Sequence, residues 1–126
     1  MKRILIVDDD ISLLEILEST LQYSNYRVKT LSECYDIFSE IEGFEPDLVI
    51  LDYILSGING GEICHQIKSN TATACIPVII ITAYPRIIES LGAYRSDAML
   101  PKPFNLSDLL YTVDTCISKQ SAGMSR

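Results

Sequence analysis

Four short apolar runs organise the chain: Ile4-Leu5-Ile6-Val7, Leu48-Val49-Ile50-Leu51, Val78-Ile79-Ile80-Ile81 and Ala98-Met99-Leu100. None alternates polar with apolar, so each reads as a strand buried on both faces. Residues 26–31 form one more strand; Val28 stands there between polar neighbours, which suits an edge position. Between the strands the apolar period changes to that of a helix. Leu14, Leu17 and Leu21 make one stripe over residues 11–24, with Leu13 and Ile16 beside it. Ser32 is the expected N-cap of a second helix carrying Cys34, Ile37, Phe38 and Ile41, ended by Gly43. Residues 57–61 read as loop, and Ile63, Cys64 and Ile67 mark a third helix. Pro85 suits the first turn of a short helix with Ile87, Ile88 and Leu91. Asn105 caps a final helix with Leu106, Leu109, Leu110, Val113, Cys116 and Ile117 on one face.

This alternation is (βα)5. It predicts an α/β domain: a doubly wound, parallel five-stranded sheet with right-handed crossovers and helices on both faces. Residues 1–118 make the domain, and residues 119–126 are a short polar tail expected to fray. No repeat, low-complexity tract or linker to a second domain interrupts the chain.

Composition narrows the partners. The 126 residues carry a net charge of -7 with no Lys/Arg cluster, which argues against direct nucleic-acid binding. No apolar stretch approaches a membrane span, and the N-terminus lacks a signal pattern, so a cytoplasmic protein is expected. The four cysteines are widely spaced without a C-x-x-C pair, and His65 is the one histidine, so zinc chemistry has no ligand set. His65 itself falls on the third helix, away from the strand ends.

The chemistry sits where the apolar runs stop. The first runs into Asp8-Asp9-Asp10, the second into Asp52, the third into Thr82 and the fourth into Pro101-Lys102-Pro103. Ligands of open parallel sheets bind outside the carboxyl ends of the strands, so these residues share one edge. A lone strand-end Asp is most often a turn residue, and a Lys-Pro after a strand is usually loop. Their joint occurrence in this order is far more specific. Clustered carboxylates repel unless a cation binds, and Mg2+ favours hard oxygen ligands with several waters retained. Lys102 supplies a fixed positive charge, Thr82 a hydroxyl, and Ala83 leaves access. The set suits in-line phosphoryl transfer to a carboxylate. Tyr84 could hang over that carboxylate or simply face solvent, and Asp10 suits either the metal pair or a helix N-cap.

Ile-Val-Asp-Asp at 6–9, Leu-Asp at 51–52, Ile-Thr-Ala at 81–83 and Leu-Pro-Lys-Pro-Phe at 100–104 resemble the receiver domain of two-component response regulators, including the chemotaxis receivers. The resemblance extends to about residue 118. It implies the flavodoxin-like strand order 2-1-3-4-5 and a cis peptide between Lys102 and Pro103. It makes Asp52 the phosphoacceptor, assigns Asp8, Asp9, Asp52 and the Ile54 carbonyl to Mg2+, and gives Thr82 and Lys102 the phosphoryl group. The partners it implies are a sensor histidine kinase or phosphotransfer protein and a downstream target protein. The domain would catalyse its own phosphoryl transfer and autodephosphorylation without being an enzyme in the usual sense.

Several positions depart from the family pattern. Met99 stands where an aromatic residue is common, three before the lysine; Ser56 replaces a common proline; Gly92-Ala93 comes three residues early. The stretch from Thr82 to Lys102 is a residue or two short. All of these touch the signalling face rather than the phosphorylation set. The competing reading is a phosphorylation-independent interaction module on the same fold. A haloacid-dehalogenase-type phosphatase would want a second Asp two residues after the first, and Asp52-Tyr53-Ile54 lacks it.

Overall fold

The computed structural model describes residues 1–55, 58–86 and 92–124. Its elements are β1 (Arg3–Val7), α1 (Ile11–Tyr23), β2 (Arg27–Leu31), α2 (Ile37–Phe44), β3 (Leu48–Asp52), β4 (Ile54–Leu55), β5 (Ile58–Asn59), α3 (Gly60–Ser69), β6 (Val78–Thr82), a 3-10 turn (Gly92–Arg95), β7 (Ala98–Pro101) and α4 (Leu106–Met124). The main sheet has five strands in the order β2-β1-β3-β6-β7, all neighbours parallel. This is the expected 2-1-3-4-5 order, with residues 27–31 on the edge.

The unbroken apolar runs follow from burial on both sides. Ile4, Ile6, Leu48, Ile50, Ile79 and Ile81 pack with Leu14, Leu17 and Leu21 of α1 and Leu109, Val113, Cys116 and Ile117 of α4. The alternate residues Leu5, Val7, Val49, Leu51, Val78 and Ile80 pack with Ile37 and Ile41 of α2 and Ile63, Cys64 and Ile67 of α3. Each such side chain removed from water stabilises the fold by about 1.5–3 kcal/mol. On α4, Leu106 remains exposed and Leu110 only half-buried, so the apolar face begins at Leu109.

Three local expectations need correction. The second helix begins at Ile37, because Asp36 and not Ser32 is its N-cap: the Asp36 carboxylate accepts from Phe38 N at 3.1 Å and Ser39 N at 3.4 Å. Cys34 therefore precedes the helix, and the helix passes Gly43 to end at Phe44, with Glu45 at φ 54° turning the chain out. The described part of residues 57–61 is not plain loop. Ile58–Asn59 pairs antiparallel with Ile54–Leu55, and α3 starts at Gly60 under an Asn59 cap, whose side chain accepts from Gly61 N at 2.6 Å. The last helix continues to Met124, through most of the stretch read as a tail. Asn105 caps it as expected, its Oδ1 accepting from Asp108 N at 2.8 Å. Pro85 and Arg86 are helical, whereas Ile87, Ile88 and Leu91 lie outside the described residues.

Registers bring the strand ends level. Val7 stands beside Leu51, Asp52 beside Ile81 and Thr82 beside Pro101. Asp8, Asp52, Thr82 and Lys102 thus leave the sheet at one edge.

Candidate functional site

Asp52 is the last residue of β3 and is 7% exposed. The peptide after it is pinned on both sides: Tyr53 N donates to Ile81 O at 2.9 Å and Tyr53 O accepts from Gly60 N at 2.8 Å. Gly60 is needed for that approach, since a Cβ there would stand 1.9 Å from the Asp52 carbonyl oxygen. Asp8, just past β1, is 1% exposed. Its Oδ1 accepts from Asp10 N at 2.9 Å, and Asp10 in turn caps α1 by accepting from Leu13 N at 3.2 Å. Asp10 is therefore committed to the helix cap. Asp9 is exposed, and one carboxylate oxygen each from Asp8, Asp9 and Asp52 lie within 4.8 Å of one another.

Lys102 follows β7, held by its backbone N donating to Thr82 O at 2.7 Å and followed by a cis peptide to Pro103. Its ammonium reaches Asp52 Oδ1 at 3.0 Å and comes within 4.0 Å of Asp8 Oδ2. Thr82 is 1% exposed, and its Oγ1 accepts from Tyr84 N at 2.8 Å. Asp52, Tyr53, Ile54, Thr82, Ala83, Tyr84 and Lys102 line a cavity of about 200 Å³. Ile54, on β4, is exposed by 56% and Tyr84 by 50%, so both stand at the cavity mouth.

The electrostatics are those of an under-compensated acidic site. Burial pushes the Asp8 carboxyl up from 3.8 to about 6, against the pull of the Asp10 amide; the Asp52 charge adds to the rise. Burial also raises Asp52, opposed by the Lys102 hydrogen bond and charge. Asp8 Oδ2 is buried and accepts no hydrogen bond. A buried carboxylate oxygen without a donor is costly, and a hard cation would satisfy it. Three clustered carboxylates fit Mg2+ by donor type and charge.

The structure thus brings Asp8, Asp9, Asp52, Thr82 and Lys102 to one place, with Ile54 lining the adjoining cavity. It leaves His65 on the exposed flank of α3, 3.4 Å from Ser69 Oγ. The four cysteines are free thiols, and burial pushes Cys64 up to about 12. Sequence reasoning missed two features. One is the hairpin β4–β5, too short to carry a period. The other is the aromatic pair Tyr53–Tyr94, with ring centroids 6.1 Å apart; only a tyrosine directly after the acceptor hinted at it.

Residues 4–114 match the family model described as response regulator receiver domain. The response regulator ArlR of Staphylococcus aureus is 35% identical over 122 residues, covering 95% of this chain and 54% of that protein. This chain spans about half the length of the curated relatives it matches. Among solved structures, the response regulator TrrA of Thermotoga maritima, in complex with Mg2+-BeF, is 31% identical with a TM-score of 0.82, covering 92% of this chain and 99% of that one. A CheY-like receiver domain protein of Methanospirillum hungatei is 27% identical with a TM-score of 0.86, covering 98% of each chain.

Proposed function

This chain belongs to the response regulator receiver domain family, and we propose that it accepts a phosphoryl group on Asp52, from the phosphohistidine of a sensor histidine kinase or phosphotransfer protein. The observation that carries this reading is the buried Asp52 carboxylate, 3.0 Å from Lys102 Nζ at the wall of a cavity that Thr82 also lines. An Asp52 oxygen attacks phosphorus, the P–N bond breaks, and the electron pair returns to the leaving imidazole, which takes up a proton. Lys102 opposes the rise that burial gives the Asp52 carboxyl, favouring its charged form, and offers its ammonium to the phosphoryl oxygens. Thr82 can turn its hydroxyl from the Tyr84 amide toward the same group. Asp8, Asp9, Asp52 and the Ile54 carbonyl would hold Mg2+, which supplies charge neutralisation for the transferred group. The likeness to TrrA, solved with Mg2+-BeF, supports that cofactor.

The switch follows from differential affinity: a phosphoryl group that binds one conformer better shifts the population toward it. Met99 is half-buried on β7, beside Ile80. A flexible thioether there, in place of a ring, makes for softer coupling to the downstream surface. The unit that does this is residues 1–118. A cytoplasmic setting fits, and among the described residues no helix is long and apolar enough to cross a membrane.

Acetyl phosphate with Mg2+ tests the acceptor. Intact-mass spectrometry should show one phosphate on the wild type and none on Asp52→Asn, because an amide is a poor nucleophile. Stoichiometric phosphate on the mutant would sink the assignment.

A further inference from the structure

A cavity of about 540 Å³ opens at the amino edge of the sheet, opposite the strand ends that carry Asp52. Clefts of about 300–1,000 Å³ are of the size that takes ligands. Its floor is apolar: Phe38 and Ile41 of α2, Pro46 before β3 and Ile76 before β6. Ile41 and Pro46 are buried, whereas Phe38 and Ile76 stay half-buried and leave apolar surface to the cavity. The wall beyond is residues 70–76, the link from α3 to β6, and it is preformed. Thr73 Oγ1 donates to Ile67 O at 2.7 Å, and Lys68 Nζ donates to Ala74 O at 3.2 Å and Ile76 O at 2.8 Å. Asn70 Oδ1 accepts from Ala72 N at 2.9 Å and Asn70 O from Ala74 N at 2.8 Å. A wall already ordered loses little freedom when something docks against it.

The rim is acidic. Glu42 and Glu45 line it, and no Lys or Arg does. Both stand at the C-terminal end of α2, whose last turn has no basic residue. The helix dipole puts partial negative charge at that end, so carboxylates are unfavourable there and cations favourable. α3 ends at the same groove, with Asn70 as its C-cap. Arg3 answers Glu45 loosely, at 3.6 Å, and spends the same nitrogen on Phe44 O. Glu42 is exposed and makes no ion pair among the described residues. Carboxylates set against the negative end of a helix do not help the fold, whereas they complement a cationic partner.

We propose that this groove docks a cationic, apolar segment of another protein. An aliphatic or aromatic side chain would seat on Phe38, Ile41, Pro46 and Ile76, with a flanking Lys or Arg held by Glu42 and Glu45. The same rim repels nucleic acid and anionic lipid. The groove and the phosphoacceptor occupy opposite edges, so docking leaves Asp52 accessible and does not wait on its phosphorylation.

The test is NMR titration of the full chain with three capped hexapeptides: alternating leucine and lysine, alternating leucine and glutamate, and alternating glycine and lysine. The leucine–lysine peptide should saturate, with shifts centred on Phe38, Glu42, Thr73 and Ile76, and the other two should not. Glu42→Gln and Glu45→Gln should each weaken it by about two- to fivefold at low salt, as exposed ion pairs do. Ala72→Arg, at an exposed position lining the groove, should abolish binding by filling the groove with the chain's own cation. Melts of all three variants should match wild type; if Ala72→Arg folds poorly, the two Gln variants decide. Beryllofluoride with Mg2+ should leave the affinity unchanged. Equal binding of the glycine–lysine peptide, shifts spread over the whole acidic surface, or full affinity in both Gln variants overturns the proposal. Groove shifts that grow with protein concentration in the absence of peptide also overturn it, by making a second copy the occupant. An affinity that follows beryllofluoride refutes the groove's independence of the acceptor.

Discussion

The two edges of the sheet hold the same pair of residue types in opposite conditions. At the amino edge, Lys68 of α3 is 8% exposed, and its ammonium donates to Ala74 O at 3.2 Å and Ile76 O at 2.8 Å. It also meets Asp97 Oδ2 at 2.6 Å, and that carboxylate accepts from Val78 N at 2.8 Å. Asp47 does the same service for Arg3 N at 2.8 Å. Every group named there has a partner, and the result is a brace that sets where β1, β6 and β7 begin. At the carboxyl edge, one ammonium serves Asp52 and lies 4.0 Å from a second carboxylate whose Oδ2 accepts no hydrogen bond. Satisfied buried charge builds structure. Under-satisfied buried charge stores a demand that a ligand can meet.

The comparison breaks most visibly at Lys68. Lys68→Met should remove the brace and leave Asp97 and two carbonyls without their donor. Asp97 is 42% exposed, which discounts the penalty, so a loss of about 2–3 kcal/mol is expected by urea denaturation. Phosphate uptake per folded molecule should persist, since Lys68 lies at the opposite edge. A loss below about 0.5 kcal/mol, the usual range for surface changes, would put the brace in doubt.

Asp8→Asn should do the reverse. Without Mg2+ it should stabilise the fold by about 1–2 kcal/mol, because it removes a buried charge and keeps the Oδ1 acceptor for Asp10 N. A pH series sharpens this. Asp8 titrates near 3.8 unfolded and about 6 folded, so between those values the native state binds the proton more tightly. Metal-free stability should therefore fall as pH rises from about 4 to about 6, by up to about 3 kcal/mol. Asp52, also raised, acts in the same direction. A flat profile in the wild type, or the same slope in Asp8→Asn, would remove Asp8 as its source.

The smallest effect is that of Mg2+ on the melt. At tenfold excess over its dissociation constant it should add about 1.4 kcal/mol to wild-type stability. Asp9→Ala should lose that increment, since Asp9 contributes a carboxylate to the cluster while lying outside the core. An unchanged Mg2+ response in the mutant would reject the site.

Much of this protein could be read along the chain because its signals are local. An apolar run buried on both faces loses its alternation, so β1, β3 and β6 announced themselves. Helical stripes such as Leu14-Leu17-Leu21 obey a period of a few residues. The strand-end residues Asp8, Asp9, Asp52, Thr82 and Lys102 are legible because a parallel sheet must place them on one edge. Other features depend on atoms from distant segments. Ser32 and Asp36 are both competent caps in isolation; the turn that the chain makes after β2 selected the second. The orphan oxygen of Asp8 exists because it is buried with its nearest cation, Lys102, 4.0 Å away and no donor within hydrogen-bond reach. Lys68 reads as an ordinary surface residue until the Ala74–Ile76 carbonyls and Asp97 fold over it. The Tyr94 ring packs against Tyr53 across about forty residues of chain. Periodicity is a property of neighbours in sequence, whereas the satisfaction of a buried polar atom is a property of neighbours in space. The first placed the candidate residues on one edge, and only the second decided which of them are braced and which are left wanting a ligand.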